Sequence, residues 1–296
     1  MTTYLITGGA GSLGVALVNE LQKDESNKIR ILDNNEHALA TMKIPYPSLI
    51  RKLHGSITDK ERIKRAVQGV DILIHCAAMK NLEITEYNVS ELIKTNVVGT
   101  DNVISAAIEA GVQKIMFISS DKAVEPTSIY GASKLIGEHA ALNYNQTSYP
   151  ASKVSVFRSG NFMNSNGNVF ETWKDQLYNG VPLTITDIKC MRYIIGTNIA
   201  AKTILNCIKY MNGGEIFIPN EVIMPEVSIM SMAKKFVCDS MNPPIPVTEL
   251  NIHNFKFNFT GLRKGEKLSE SIMTIEESNR AVYNKELKCL VIKWKQ

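Results

Sequence analysis

Short apolar runs alternate with longer segments of helical period through the first half of the chain. Tyr4 to Thr7, Ile29 to Asp33, Leu49 to His54, Val70 to Ala77, Ile115 to Ser119 and Val154 to Arg158 each have the length of a buried strand. Continuous apolarity, rather than strict alternation, predicts strands of a parallel sheet covered on both faces. Between the first two runs Leu13, Leu17 and Leu21 recur every fourth residue with Val18 beside them, which marks one buried helix face. Longer helices are predicted near Val89 to Ala110 and Tyr130 to Asn145. After Arg158 the rhythm loosens into Asn- and Gly-rich loops, with helices near Ile199 to Met211 and Ile229 to Asp239 and a short strand at Glu215 to Ile218. Pro243, Pro244 and Pro246 are expected to interrupt regular structure.

Composition narrows the function classes. The chain has 296 residues, 44% of them hydrophobic and 21% charged, enough for a sizeable core. A net charge of +4, dispersed along the chain, does not suggest a nucleic-acid surface. No apolar run approaches the roughly 20 residues that span a bilayer, and the N-terminus enters a strand-like stretch at once. A cytoplasmic protein with no membrane partner is expected. The five cysteines, Cys76, Cys190, Cys207, Cys238 and Cys289, show no CxxC or Cys/His ligand spacing, so neither a disulfide framework nor a metal site is expected.

The first candidate chemistry lies between the first strand and the first helix. Thr7, Gly8, Gly11, Ser12, Leu13 and Gly14 belong to a T-G-x-x-G-x-x-G turn, whose backbone amides and helix N-terminus suit a pyrophosphate. Asp33 ends the second run, placed to accept hydrogen bonds from an adenosine ribose and to repel a ribose 2′-phosphate. NAD is therefore expected over NADP, with Lys28, Arg30 and Lys43 as the cations able to approach a phosphate. Ser56 and Ile57 after the third strand, and Ala77 and Ala78 after the fourth, occupy strand ends where the cofactor would lie. The predicted fold class is α/β, a Rossmann-type doubly wound parallel sheet. Residues 1–158 are expected to form the NAD(P)-binding domain, and 159–296 a smaller, mainly substrate-binding region with some segments returning to the first domain.

Tyr130-Gly131-Ala132-Ser133-Lys134 puts a phenol and an ammonium four residues apart on one helix face. A phenol near pKa 10 becomes a base at neutral pH only where cations favour the phenolate. A shift of about 3 units needs roughly 4 kcal/mol. Lys134 and an oxidised nicotinamide are the expected source, with Lys134 also binding the nicotinamide ribose.

With the cradle, Asn96 in the long helix, Ser119-Ser120 ending the fifth strand and YxxxK in this order, the chain resembles the extended short-chain dehydrogenase/reductases over nearly its whole length. Ser120-Asp121-Lys122, Ala77-Ala78-Met79-Lys80, Lys94-Thr95-Asn96-Val97-Val98-Gly99-Thr100, Pro182 to Asp187 and Gly261 to Leu268 resemble the polysaccharide-biosynthesis group containing UDP-N-acetylglucosamine 4,6-dehydratases. The resemblance implies a lyase that oxidises a UDP-activated amino sugar at C4, removes the C5 proton, expels the C6 hydroxyl as water and returns the stored hydrogen to C6. It further implies that Tyr130 deprotonates the C4 hydroxyl, Lys122 handles the C5 proton, Asp121 assists departure at C6 and Ser120 hydrogen-bonds near O4. Lys122 then needs a lowered pKa, expected from burial and nearby positive charge. Asn96 would organise the active-site helix at the cofactor. Lys80, Asn161, Thr186, Arg192 and Glu266 are the implied substrate contacts, with Arg192 as a diphosphate clamp and Thr186 and Glu266 facing the uridine.

Arg158-Ser159-Gly160-Asn161 departs from the group's usual R-Y-G-N, and the turn Ser165-Asn166-Gly167 from its serine-arginine-glycine. The membrane-attached long form of the group has methionine where this chain has Tyr130, so the soluble, C5-inverting form is the closer resemblance. A UDP-sugar 4-epimerase and a non-catalytic cofactor-binding scaffold remain as alternatives. The two long helices suggest a homo-oligomer.

Overall fold

The computed structural model describes residues 1–146, 152–163, 165, 167–241 and 257–294, so Pro243, Pro244, Pro246 and Asn166 lie outside the described residues. The six apolar runs form strands β1 (Thr2–Thr7), β2 (Asn27–Asp33), β3 (Ile50–His54), β4 (Ile72–His75), β5 (Lys114–Ser120) and β6 (Lys153–Ser159). They pair in parallel in the order β6-β5-β4-β1-β2-β3. The sheet continues past β6 through Glu215–Pro219, also parallel, and then through Cys289–Lys293 and Val282–Asn284, both antiparallel. The expected doubly wound sheet is thus present, and the second half of the chain contributes its outer edge.

Helices cover both faces because the strands are buried on both sides. Leu5, Ile6, Ile31, Leu73, Ile74, Ile115, Met116, Val154 and Val156 are all fully or almost fully buried. The helix Ser12–Leu21 buries Leu13, Leu17, Val18 and Leu21, the stripe visible in the sequence. The long segment expected at Val89 to Ala110 is helical throughout but changes hand-over within it: Val89–Leu92 is α-helical, Ile93–Val98 is a π-helical turn, and Gly99–Glu109 is α-helical again. Such a turn inserts a residue into the helical ladder and is common at functional sites. Here it carries Asn96.

The region that faces the strand ends is a separate small layer. Asn161–Met163, Met191–Gly196 and Glu226–Ser228 make one sheet, and Leu183–Ile185 pairs with Phe257–Phe259. Its core is Trp173, Leu183, Ile185, Ala233 and Val237. Trp173, on a helix at Val169–Tyr178 that the hydrophobic pattern does not reveal, donates its indole N–H to Thr184 O at 2.9 Å.

Arg158, on β6, ties the main sheet to the helix carrying Glu138 and to the segment 272–277 packed on the same core. Its buried guanidinium reaches both carboxylate oxygens of Glu138 at 2.9 and 2.6 Å, both oxygens of Glu277 at 2.9 Å, and Ile272 O at 3.1 Å. Burial pushes the Glu277 carboxyl up, and the hydrogen bonds and charge of Arg158 outweigh it, leaving Glu277 below the usual carboxylate range. Removing the cation would strand two carboxylates with little water. Arg158→Met is therefore expected to cost about 3–5 kcal/mol at pH 7. The wild-type contribution is lost as Glu277 protonates, so the gap between variant and wild type should narrow as pH falls through the carboxylate range. Chemical denaturation at several pH values measures both, and a pH-independent gap would contradict this role.

Candidate active site

The strand order reverses between β4 and β1, and the glycine cradle opens from the C-terminal end of β1 at that switch point. Gly8 has φ +66°, and a β-carbon there would lie 2.7 Å from the Ala77 backbone, so the turn after β1 and the strand end after β4 touch only because residue 8 has no side chain. The following helix is capped by Gly11, with no side-chain cap and no acidic residue in its first turn. Its leading amides and dipole are left for an anion such as a pyrophosphate. Asp33 accepts from Ala10 N at 3.1 Å and Asn35 N at 3.0 Å, which fixes its carboxylate at the cradle with lone pairs to spare for ribose hydroxyls. Arg30 points elsewhere, donating to the carbonyls of Ala66 and Gln68. These residues fit a dinucleotide with an unmodified ribose.

Ile57 is buried against Gly99, and its carbonyl accepts from Asn102 Nδ2 at 3.3 Å; Ser56 bonds Thr58 across 2.8 Å. Asn96 is 2% exposed, accepts from Met79 N at 2.8 Å, and donates to Met79 O at 2.8 Å and Ser133 Oγ at 3.0 Å. Both of its N–H donors are engaged. Asn96 thus ties the loop carrying Ala77, Ala78, Met79 and Lys80 to the helix carrying Tyr130. Lys80 is exposed on that loop.

The helix Ile129–Asn143, which carries Tyr130 and Lys134, starts at Ser128, whose hydroxyl accepts from Gly131 N at 3.0 Å. A β-carbon at residue 131 would collide with the carbonyl of Lys122, so Gly131 lets the helix rest directly on the short 3-10 turn Asp121–Ala123. That contact brings Tyr130 to the acid–amine pair. Asp121 is fully buried. Its Oδ1 accepts from Ser120 Oγ at 2.8 Å and Lys122 Nζ at 3.1 Å, and its Oδ2 has no partner. Lys122 Nζ also donates to Asn161 Oδ1 at 3.1 Å and lies 3.5 Å from Glu270 Oε1.

The electrostatics correct two expectations. Burial lowers the Lys122 ammonium, but Asp121 and Glu270 outweigh it, so Lys122 stands above the ordinary lysine value rather than below it. The cation beside Tyr130 is Lys122, not Lys134. Burial raises the phenol, and Lys122 and the Ser120 hydroxyl pull it part of the way back, leaving it above its ordinary value. Lys134 is 4% exposed, donates to Ile118 O at 2.6 Å, and sits 4.2 Å from the centre of the Phe117 ring. Burial lowers it to about 8.

Arg192 is also placed differently from expectation. It is 4% exposed and paired with Glu266 at 2.7 Å, with further bonds to Met191 O and Leu268 O. A guanidinium so committed is not a free diphosphate clamp, and Glu266, which also accepts from Arg263 N at 3.2 Å, is its counterion. Thr186 turns its hydroxyl to Cys190 Sγ at 3.5 Å. Asn161, expected near the sugar phosphates, is at Lys122. Glu270 was absent from the sequence-derived set, because only the fold carries it back to the turn after β5.

The family model for polysaccharide biosynthesis proteins matches residues 4–291. The chain belongs to that family. It is 35% identical over 279 residues to a UDP-N-acetylglucosamine 4,6-dehydratase (inverting) of Campylobacter jejuni, covering 93% of this chain and 78% of the relative. It is 31% identical over 285 residues to a UDP-glucose 4-epimerase of Rickettsia massiliae, covering 94% and 80%. Among solved structures it resembles Pen from Bacillus thuringiensis with a TM-score of 0.88 and 31% identity, covering 99% of this chain and 88% of that one.

A buried lysine lowered to about 8 penalises the folded state wherever it must be charged. The penalty is absent at very high pH, grows as pH falls below the unfolded value near 10.5, and is complete below about 8. Lys134→Met should therefore gain stability relative to wild type, by about 2–3 kcal/mol more at pH 7 than at pH 10. Urea denaturation of the cofactor-free proteins across that range tests it. A constant difference would place the charge in water.

Proposed function

We propose that this protein is a UDP-N-acetylglucosamine 4,6-dehydratase of the C5-inverting type, using NAD and releasing a UDP-4-keto-6-deoxy amino sugar for glycan or polysaccharide synthesis. The observation that carries the reading is the pair of buried Asp121 and half-buried Lys122, held against Tyr130 by Gly131. A reaction that only oxidises and reduces C4 needs a phenol and a cofactor, whereas elimination needs a second base and an acid. The likeness to the C. jejuni dehydratase supports the same reading.

A nicotinamide held between the cradle, Asp33 and Lys134 would supply the hydride acceptor and donor for C4 and C6. Tyr130 takes the proton of the C4 hydroxyl, and the Lys122 ammonium beside it favours the phenolate that this requires. With C4 oxidised, the C5 hydrogen is acidic. Transfer of the shared proton from Lys122 to Asp121 across their 3.1 Å contact leaves a free amine to accept the C5 proton and a carboxylic acid to protonate the departing C6 hydroxyl. One water leaves, and a hydride supplied to C6 together with a proton returned to C5 from Lys122 would balance the atoms. Ser120 bridges Asp121 and Tyr130 and is the group placed to bond O4.

For the diphosphate, Arg263 replaces Arg192 in this proposal: it is exposed, beside Glu266, and its guanidinium has no partner among the described residues. Among those residues no helix is long and apolar enough to cross a membrane, and the five cysteines are free, which supports action in the cytoplasm. Exposed Ile93, Val98, Ile129 and Ile136 on the two long helical segments support a homo-oligomer.

The second reading, a UDP-sugar 4-epimerase, is favoured by the Rickettsia relative and leaves Asp121 and Lys122 without a reaction to perform. Incubation with UDP-N-acetylglucosamine in heavy water separates the two. Dehydration gives a product lighter by one water, with solvent deuterium at C5 and the C4 hydrogen moved to C6; an isomer of unchanged mass would establish the epimerase. Tyr130→Phe should retain cofactor and lose about 10²- to 10⁴-fold in turnover. In competitive titration NAD should bind tighter than NADP, and Asp33→Ala should narrow the difference.

A further inference from the structure

Glu270 is a buried carboxylate set between two lysines. Its side chain is 2% exposed, Oε1 lies 3.5 Å from Lys122 Nζ, and Oε2 accepts no hydrogen bond, facing Lys267 Nζ at 3.7 Å. Buried acids without full hydrogen bonding are costly and rare. Lys267 in turn donates to Val124 O at 2.8 Å, and Thr127 Oγ1 donates to Gly265 O at 2.9 Å, so the segment 265–270 is docked along the turn that follows Lys122. The result is an alternating row, Asp121, Lys122, Glu270, Lys267, whose two halves come from positions some 145 residues apart.

We propose that Glu270 is a positioning residue of the proton-transfer chemistry: from the far end of the chain it holds Lys122 Nζ at the meeting point of Asp121, Asn161 and Tyr130 and sets how tightly that nitrogen keeps its proton. The role assigned to Lys122 rests on the dehydratase reading; the control of its proton by Glu270 does not. The groups facing Lys122 are Asp121 on its own turn, Ser120 at the end of β5, Tyr130 on the helix Ile129–Asn143, Asn161 on the strand beyond β6, and Glu270 with Lys267 behind it. Tyr193 approaches Asp121 from the small layer. Of these only Asp121 and Glu270 are carboxylates. Asp121 exchanges its proton with Lys122 during elimination, so Glu270 is the carboxylate outside that exchange.

The test reads Lys122 itself. In intact protein carrying ¹³C-labelled lysine, the ε-carbon resonance of Lys122, assigned by its loss in Lys122→Gln, is titrated with pH. Glu270→Gln keeps the size of the side chain and removes its charge, so the Lys122 midpoint should fall by about one pH unit or more, a tenfold or greater loss of proton affinity. Glu270→Asp should restore it at least in part. Lys267→Gln should move the midpoint the opposite way, since it removes a cation from the row, and it decides the matter should Glu270→Gln fail to fold. On product formation, Glu270→Gln should shift the pH profile of kcat in the same direction as the resonance, with little change in KM. An unmoved Lys122 midpoint in Glu270→Gln, or shifts of one sign in both variants, would overturn the proposal. Lack of dehydrated product from wild type, with the midpoints moving as stated, would instead remove the dehydratase reading and leave the Glu270 assignment standing.

Discussion

An ammonium largely withdrawn from water must find negative partners, and Lys122 finds them in two distant parts of the chain. Asp121 is its neighbour in sequence, while Glu270 arrives on a segment that has crossed the small layer and returned. Coulomb attraction in a site shielded from water is strong, and so is the cost of leaving either charge unpaired. The small layer is therefore part of the reaction centre, closing it electrostatically as well as sterically. The close seating of the helix on the turn at Gly131 then decides what that charge acts upon, namely the phenol of Tyr130.

A second chain of contacts joins the cradle to the same helix. His75 bonds Thr7 Oγ1 across 2.6 Å and Thr100 Oγ1 across 3.1 Å, and Thr100 donates to Asn96 O at 2.7 Å. Asn96 continues to Ser133, whose hydroxyl donates to Tyr130 O at 2.7 Å. Burial and the Lys134 charge lower His75 to about 3, so the ring is neutral and its two nitrogens differ, one a donor and the other an acceptor. The glycine turn and Tyr130 are in this way registered to each other through a continuous row of side chains.

The legible parts of the site were those with a local geometric rule behind them. Glycine spacing at Gly8, Gly11 and Gly14 follows from a turn that must approach a strand end, and Tyr130 with Lys134 follows from helical period. Arg192 misled because a guanidinium in a predicted substrate region looks available, whereas folding places Glu266, 74 residues away, against it. Lys122 misled for the related reason that burial alone would lower an amine, and the net direction depends on which carboxylates surround it. Asn96 was recognisable as a residue that organises the helix, but its partners, the Met79 backbone and Ser133, are set by the fold.

The amino-acid sequence by itself determined the parallel α/β sheet, the cradle at its switch point and the helix that carries phenol and amine, because periodicity and short spacings act within one element or between adjacent ones. The tertiary structure alone decided which carboxylates surround Lys122, the pairing that occupies Arg192 and the entry of Glu270 into the site. Each of these depends on which long-range neighbour shares a water-poor space, and electrostatic energy in such a space is set by distances that no local pattern encodes.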